Sequence, residues 1–217
     1  MKCLLCEETC YIFQDEKTDI HYFECKKCAF VFKSPEHHES MEVQKTRYDL
    51  HENSEESEGY IAYFQRFLDF LLPRIPKPKS ALDFGCGEST LLANLLKAEG
   101  IACDYFDPIY HPDTLDTEKK YDLIVSTEVF EHLHQPLKVF EELLSQLNPQ
   151  GYLAIQTQFC PKKRSAFLTW YYHKDPTHIA FFSIQSFMYL CERYHCDLIA
   201  DNGKNMVLIQ KSNEAGV

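Results

Sequence analysis

The hydrophobic residues from position 59 onward follow two alternating spacings. Tyr60, Phe64, Phe67 and Leu71 recur every three or four residues, as on one face of a helix, and Pro73 ends this run. Shorter apolar runs follow that are too continuous for an amphipathic helix and are typical of buried strands. These runs are 80–84 (SALDF), 101–106 (IACDYF), 121–126 (YDLIVS) and 152–158 (YLAIQTQ).

Three further segments carry apolar residues at helical spacing between these runs. Ser89 or Thr90 is suited to cap the first helix, Pro136 opens the second, and Ser183 is suited to cap the third. Gly100 is a stop signal for the first. The predicted apolar faces are Leu91, Leu92, Leu95 and Leu96; then Phe140, Leu143, Leu144 and Leu147; then Ile184, Phe187, Met188 and Cys191.

The last strand signals differ from the earlier ones. Residues 148–151 (NPQG) predict a turn into the strand at 152–158, and residues 196–211 read as two strands around an Asn-Gly turn. Strands that alternate with helices form a mostly parallel sheet that is covered on both faces. The sequence therefore predicts an α/β fold, a Rossmann-like doubly wound sheet that ends in an antiparallel hairpin.

Residues 1–35 follow another pattern, and we expect them to form a small zinc ribbon. Two C-x-x-C pairs, Cys3/Cys6 and Cys25/Cys28, are separated by eighteen residues rich in aromatic and β-branched side chains. Four thiolates in a tetrahedral array suit a structural zinc ion. Two alternatives stay open: four free thiols on a small β-unit, or replacement of one ligand. The possible substitutes are Cys10, His21, His37 and His38.

Composition and charge narrow the setting of the protein. Residues 36–58 form an acidic connector with room for one helical turn, and residues 59–217 form the larger domain. The net charge of −11 argues against general binding of nucleic acid. The sequence has no apolar run of the length needed to span a membrane, about 20 residues, and it lacks the features of a signal peptide. We therefore expect a cytoplasmic protein without membrane partners. Ten cysteines in a reducing compartment indicate metal ligands or buried thiols.

A glycine turn follows the first predicted strand of the larger domain. Gly85 and Gly87 would let a cofactor approach the backbone closely. Asp83, just before them, would repel a pyrophosphate but attract a cationic ligand, which favours S-adenosylmethionine over a dinucleotide. Asp107 comes twenty residues after Gly87 at a strand end, where a carboxylate accepts both ribose hydroxyls of either cofactor. Its alternative role is that of a turn aspartate before Pro108.

Residues 60–211 resemble a class I S-adenosylmethionine-dependent methyltransferase. The matching motifs are LDFGCG, FDPIY, YDLIVSTEVFEHLHQP, LNPQGYLAI and THIAFFS, and the cysteine-rich start resembles the zinc-ribbon leader of some bacterial members. The resemblance implies that the methionine part of the cofactor lies against Asp83, Gly85, Cys86 and Gly87. It further implies that Asp107 holds the ribose, that Pro108 lies near the adenine, and that Thr127 and Glu128 close the cofactor site.

One segment departs from the family pattern. Only residues 108–120 separate Asp107 from Tyr121, where members of the family commonly have a helix, a strand and an acid that contacts the adenine. We therefore expect no room for the usual helix and a vestigial third strand. Asp113 or Asp116 is the candidate for the adenine contact.

The acceptor side is predicted from residues that follow the later strands. Glu131 and His132 follow one of them, and residues 170–182 (WYYHKDPTHIAFF) form a predicted wall of the acceptor pocket. His178 is the first candidate for a general base, followed by His173 and His132, because histidine titrates near neutral pH. The alternative for His178 is a buried structural role.

These residues predict methyl transfer to a small-molecule acceptor, with the accepting atom (O, N or C) left open. Two alternatives are an RNA methyltransferase that grips its substrate with the zinc ribbon, and a catalytically inactive zinc-ribbon binding protein. The sequence indicates no particular oligomeric state.

Overall fold

The computed structural model describes residues 1–40, 43, 45–46 and 58–213. Two sheets organise this part of the chain. The strands are β1 Tyr11–Asp15, β2 Ile20–Glu24, β3 Val31–Lys33, β4 Ser80–Phe84, β5 Ala102–Phe106, β6 Tyr121–Thr127, β7 Leu147–Gln156, β8 Ala180–Phe181, β9 Cys196–Asp201 and β10 Met206–Lys211; the helices are α1 Glu58–Leu71, α2 Leu91–Ala98, α3 Pro136–Ser145, α4 Arg164–Phe167 and α5 Ile184–Arg193.

The larger sheet has six strands in the order β5-β4-β6-β7-β10-β9. Strands β5, β4, β6 and β7 are parallel, and β10 runs antiparallel to both β7 and β9. The closing hairpin therefore inserts one antiparallel strand into a parallel sheet, which confirms the predicted fold class.

Alternate residues of the strands face two separate apolar clusters. Leu123 and Val125 of β6 point to the cluster formed with α1 and α2, and Ile124 points to the cluster formed with α3 and α5. Helices therefore cover both faces, as a doubly wound sheet requires. The buried helical residues in these clusters include Phe64, Phe67, Leu68, Leu71, Leu92 and Leu96 on one face, and Phe140, Leu143, Phe187 and Leu190 on the other.

Three details of the predicted helices and turns are wrong. Leu147 belongs to β7 and pairs with Tyr121, and residues 148–151 extend this strand instead of forming a separate turn. The register of β7 shifts after this pair, and Gln150 takes a positive φ of 62°, so this part of the strand is irregular. Met188 lies on the outer side of α5 and is 56% exposed.

The segment between β5 and β6 has no helix or strand, and β5 is the edge of the sheet. An isolated bridge between Asp107 and His111 is its main regular feature. The third strand is thus absent from residues 108–120, all of which the structure describes.

The smaller sheet has the order β1-β2-β3-β8. Strand β8 comes from the larger domain: Phe181 pairs with Val31 and Ala180 pairs with Phe32. The N-terminal segment and the larger domain therefore share a sheet, a connection that the sequence did not predict.

Only part of the predicted connector can be compared with the structure. A 3-10 turn spans Pro35–His37, the described residues 43, 45 and 46 are helical, and most of the remaining connector lies outside the described residues. Within the described part of the chain, none of the helices combines the length and the apolar character needed to cross a membrane.

Candidate functional site

A cavity of about 1140 Å³ opens at the carboxyl ends of the parallel strands. Its walls come from the loops after β4, β5, β6 and β7 and from the first residues of α1. Ligands bind at this end of the strands in open α/β sheets. The volume exceeds the range of about 300–1,000 Å³ that is usual for one ligand, so a cofactor and a second molecule fit together.

The two glycines of the turn after β4 have different reasons to be glycine. Both have positive φ, 78° at Gly85 and 69° at Gly87. A Cβ atom on Gly85 would lie 2.3 Å from Cγ2 of Val129, whereas a Cβ atom on Gly87 would meet nothing within 4 Å. Packing against Val129 therefore requires Gly85, and only Gly87 fits the expected close approach of a cofactor.

Asp83 is a buried carboxylate beneath this turn. It is 1% exposed, and its Oδ1 atom has no hydrogen-bond partner among the described residues. Burial raises the pKa of Asp83 to about 7, and the charge of Asp107 adds to this shift. A buried carboxylate needs a donor or a cation, so a cofactor with an ammonium group fits this position.

Asp107 binds the backbone of the glycine turn directly. Its Oδ2 atom accepts a hydrogen bond from the Gly87 N–H at 3.0 Å, and its Oδ1 atom accepts from Ile109 N–H at 2.8 Å and Tyr110 N–H at 3.0 Å. The turn role weighed from the sequence is therefore present, and Asp107 also lines the cavity with Pro108.

The wall after β5 contains residues that the sequence did not single out. Ile109 and Tyr110 line the cavity, whereas Asp113 and Asp116 are not among the described residues that do so. The Asp116 carboxylate instead accepts a hydrogen bond from Glu118 N–H at 3.0 Å. The apolar and aromatic side chains of Ile109 and Tyr110 are thus better placed than either acid to contact an adenine.

Glu128 follows Thr127 at the end of β6 and projects a fixed carboxylate into the cavity wall. Its φ of 53° is unusual for a residue with a side chain. The Tyr63 hydroxyl donates to Oε1 at 2.7 Å, and the Tyr172 hydroxyl donates to Oε2 at 2.9 Å. Burial, together with the nearby Glu131, raises the pKa of Glu128 to about 8. Tyr63 lies on α1, whose aromatic residues the sequence indicated only as core.

Glu131 is the second buried carboxylate of this wall and is 0% exposed. The Thr157 hydroxyl donates to its Oε2 atom at 2.8 Å, and Oε1 has no hydrogen-bond partner among the described residues. Burial raises the pKa of Glu131.

The structure brings His132 and His178 together in the cavity wall, with ring centroids 4.8 Å apart. Nδ1 of His132 lies 3.0 Å from the Thr177 carbonyl oxygen, and Nδ1 of His178 lies 2.7 Å from the Tyr172 carbonyl oxygen. Burial lowers the pKa of both rings, to about 3 for His178. Both histidines are therefore neutral at pH 7.

His173 lies elsewhere. Its Nδ1 atom is 2.6 Å from the Trp170 carbonyl oxygen, and its Nε2 atom is 3.4 Å from Oδ2 of Asp15 in β1. It lines a separate cavity of about 360 Å³ between the N-terminal sheet and residues 168–176. The ring is 3% exposed and packs against Phe167, which is the environment of a structural histidine.

Four cysteines form a buried cluster at the N-terminus. The Sγ atoms of Cys3 and Cys28 are 3.5 Å apart, those of Cys6 and Cys25 are 3.4 Å apart, and all four lie within 4.8 Å of one another. A tetrahedral zinc ion with bonds of about 2.3 Å would place its sulfur ligands about 3.8 Å apart. The cluster therefore fits zinc.

The backbone around the cluster supports the same interpretation. Glu7 and Ala29, each directly after a C-x-x-C pair, have positive φ of 59° and 52°, which turns the two pairs toward one point. The sequence alternatives are not among these four mutually close ligands. Cys10 adjoins Cys3 and Cys25, but its Sγ atom lies 3.9 Å from the Glu8 carbonyl oxygen. His37 and His21 face each other with their ring nitrogens 3.4 Å apart. His38 lies beside His134.

The cysteine segment is bonded to the part of the large cavity's wall that contains His178. The Lys33 N–H donates to the Ile179 carbonyl at 2.9 Å, and the Lys33 ammonium donates to the Pro176 carbonyl at 2.9 Å. The Ser186 hydroxyl of α5 donates to the Cys28 carbonyl at 3.0 Å. The segment that carries His178 is therefore held between the N-terminal sheet and the larger sheet.

Comparisons with known proteins agree with this geometry. Residues 56–201, more than half of the chain, match the profile of a family described as a methyltransferase domain. The fold is similar to that of an O-methyltransferase family protein from Burkholderia thailandensis, with a TM-score of 0.55 and 11% identity over 78% of this chain and 63% of that one. A proposed sarcosine dimethylglycine methyltransferase from Galdieria sulphuraria has a TM-score of 0.50 and 15% identity over 71% of this chain and 85% of its own. No curated protein has a sequence that matches this chain.

Proposed function

This chain belongs to the S-adenosylmethionine-dependent methyltransferase family, and we propose that it transfers a methyl group to a small-molecule acceptor bound in the large cavity. One observation carries the proposal: the glycine turn after β4 and the polar loops after β6 and β7 line the same cavity. A methyl donor and an acceptor bound there would be adjacent, and alignment of the two is the main task in a displacement reaction.

The cofactor half lies on the side of β4 and β5. Asp83 would pair with the ammonium of S-adenosylmethionine, Gly87 gives open space next to the backbone, and Asp107 would face the ribose while it holds the turn. Cys86 and Pro108 complete this half. The bound cofactor supplies a methyl group carried on a sulfonium. When the methyl group is transferred, the rest of the cofactor is left as a neutral thioether.

The acceptor half lies on the side of β6 and β7, since the sheet order places these strands beyond β4. Aromatic rings from Tyr63 and Tyr172 form an apolar wall that excludes water, and Glu128 is held between their hydroxyls. Of the three histidines expected to act on the acceptor, we propose that His178 and His132 contact it and that His173 does not. A mostly apolar cavity with a few fixed polar groups is typical of small-molecule sites.

The zinc ribbon has a structural role in this proposal. A zinc ion bound by Cys3, Cys6, Cys25 and Cys28 would hold residues 1–35, and through β3 and β8 this domain would support the acceptor wall. A role as scaffold explains the ribbon without a second substrate. We also propose a cytoplasmic location, because all ten cysteines are free thiols and such thiols persist in reducing compartments.

The test is transfer of label from S-adenosylmethionine with a radioactive methyl group. Purified protein is incubated separately with a low-molecular-mass metabolite extract, total RNA and total protein. We expect label in the metabolite fraction, lost in Asp107→Ala and kept in Asp197→Ala, an exposed aspartate of β9. Label in RNA would instead support the RNA methyltransferase alternative, and binding of no cofactor would support the inactive one.

A further inference from the structure

We propose that Glu131, His132 and His178 form a binding site for one divalent transition-metal cation in the wall of the large cavity. One ligand atom from each residue lies within 4.8 Å of the other two, and all three residues line the cavity. Two imidazole nitrogens and a carboxylate oxygen suit Mn²⁺, Fe²⁺, Co²⁺ or Zn²⁺. This set is separate from the four cysteines of the ribbon.

Backbone carbonyls determine which nitrogen of each histidine can bind a cation. The Thr177 carbonyl accepts from Nδ1 of His132, and the Tyr172 carbonyl accepts from Nδ1 of His178. A carbonyl oxygen only accepts hydrogen bonds, so each Nδ1 carries the proton and each Nε2 carries the lone pair. Metal-binding histidines are commonly oriented by this contact.

The carboxylate of Glu131 is also oriented by a hydrogen bond to one of its atoms. The Thr157 hydroxyl donates to Oε2 of Glu131 and fixes the group, while Oε1 lies 3.8 Å from Nε2 of His132. Glu131 is 0% exposed and Oε1 has no hydrogen-bond partner among the described residues. A buried carboxylate oxygen in this state is costly, and a cation shared with the histidines would give it a charged partner.

The distances require a moderate adjustment. Ligand atoms about 2.1 Å from one cation are about 3.4 Å apart at tetrahedral angles and about 3.0 Å apart at octahedral angles, so a pair at the limit of 4.8 Å would close by about 1.4 to 1.8 Å. Side-chain rotation is sufficient for this. The remaining coordination positions would face the cavity, where an oxygen of the acceptor could bind and have its pKa lowered. Cation binding itself does not depend on the proposed methyl transfer.

The test is titration of the full-length, zinc-loaded protein with MnCl₂, with free Mn²⁺ measured by electron paramagnetic resonance. Zinc is loaded at one equivalent per chain, so that the four thiolates of the ribbon take it and none is left for the second site. We expect one Mn²⁺ per chain and an affinity at least about tenfold lower in Glu131→Gln and in His178→Gln, the usual scale for disturbing a metal site. Glu88→Gln at the cavity rim and His195→Gln after α5 are matched controls, and both residues are exposed.

Absence of saturable binding of Mn²⁺, and of CoCl₂ in a repeat, would overturn the proposal. Binding that survives both variants, or that falls equally in Glu88→Gln, would also overturn it. Thermal unfolding checks that each variant folds; if Glu131→Gln does not, His132→Gln gives the same test, since this side chain is 17% exposed. Titration of the same samples with S-adenosylhomocysteine separates the cation site from the proposed methyl transfer. A protein that binds S-adenosylhomocysteine normally but does not bind Mn²⁺ would reject the cation site alone.

Discussion

The buried ammonium of Lys33 donates a hydrogen bond to the carbonyl oxygen of Pro176, 143 residues later in the chain, at 2.9 Å. Lys33 is 1% exposed, and burial lowers its pKa to about 8. A buried lysine is costly to desolvate, so its contribution here is the position of a loop more than overall stability. This contact and the β3–β8 pairing join the N-terminal sheet and the proposed acceptor wall, residues 170–182, into one structural unit.

Replacement of this lysine tests that unit. We expect Lys33→Met to leave the free energy of unfolding nearly unchanged, because an apolar side chain replaces a costly buried charge. Amide hydrogen exchange should become faster in residues 172–180, whereas affinity for S-adenosylhomocysteine should not change. Lys26→Met, at an exposed ribbon lysine, should alter neither. Equal exchange in wild type and Lys33→Met would mean that this bond does not position the wall.

The glycine turn provides a matched pair of substitutions. Gly87→Ala and Gly203→Ala both place a methyl group at positive φ, 69° and 70°, in open space. Each should lose about 1 kcal/mol of stability from backbone strain. Only Gly87→Ala should weaken S-adenosylhomocysteine, by about tenfold or more (about 1.4 kcal/mol), because its methyl group enters the cavity. Unchanged affinity would remove Gly87 from the cofactor site. Denaturant unfolding and calorimetry provide the two measurements.

Zinc removal should affect more than the ribbon. Metal analysis should find one tightly bound zinc per chain in wild type and in Cys10→Ser, and a loss of zinc in Cys25→Ser. Small metal domains lose their fold with the metal, and β8 should lose its partner strand. Hydrogen exchange should therefore rise in residues 1–35 and also in 172–182. A zinc-free chain with both regions still protected would contradict the structural role.

The buried carboxylate of Asp83 predicts a pH dependence. Its pKa of about 7 lies above the ordinary 3.8, so the folded chain holds a proton that the unfolded chain releases, and ligand-free stability should fall as pH rises from about 4 to about 7. The charge of Asp107 favours the protonated form of Asp83. The nearby Tyr60, Cys86 and Cys103 are neutral over this range, because burial raises their pKa values.

The affinity for S-adenosylhomocysteine should change with pH in the opposite direction. The ammonium of S-adenosylhomocysteine pairs with ionised Asp83, so its affinity should rise between pH 5 and 7, by up to about tenfold per pH unit below the pKa. Asp83→Asn should flatten this dependence, and calorimetry at several pH values measures it. A wild-type affinity that is constant over this range would exclude Asp83 as the ammonium partner.

Local signals in the sequence were sufficient for most of the large sheet. Ser80–Phe84 is a strand with the predicted bounds, and Ser183 caps α5 through a reciprocal pair of hydrogen bonds with Ser186. The spacing of Cys3, Cys6, Cys25 and Cys28 also predicted a cluster that the fold brings together. Apolar spacing, caps and paired cysteines act over short stretches of chain, so they can be read from one sequence.

Long-range contacts could not be predicted in this way. The pairing of Val31 with Phe181 joins residues whose local patterns give no hint of each other. Tyr63 reaches Glu128 because α1 begins beside the cavity. In the sequence, an aromatic residue of a helix that lines a cavity cannot be distinguished from one that packs in the core. The neutral state of His178 likewise depends on burial that only the assembled fold supplies.

The most direct test of the cofactor assignment is calorimetric titration of the zinc-loaded protein with S-adenosylhomocysteine and, separately, with NAD. We predict one S-adenosylhomocysteine site per chain, weakened by about tenfold or more in Asp107→Ala because the Gly87 N–H loses its acceptor, and unchanged in Asp197→Ala. NAD should bind weakly or not at all. Equal affinity of wild type and Asp107→Ala for S-adenosylhomocysteine, or tight binding of NAD in its place, would contradict the account.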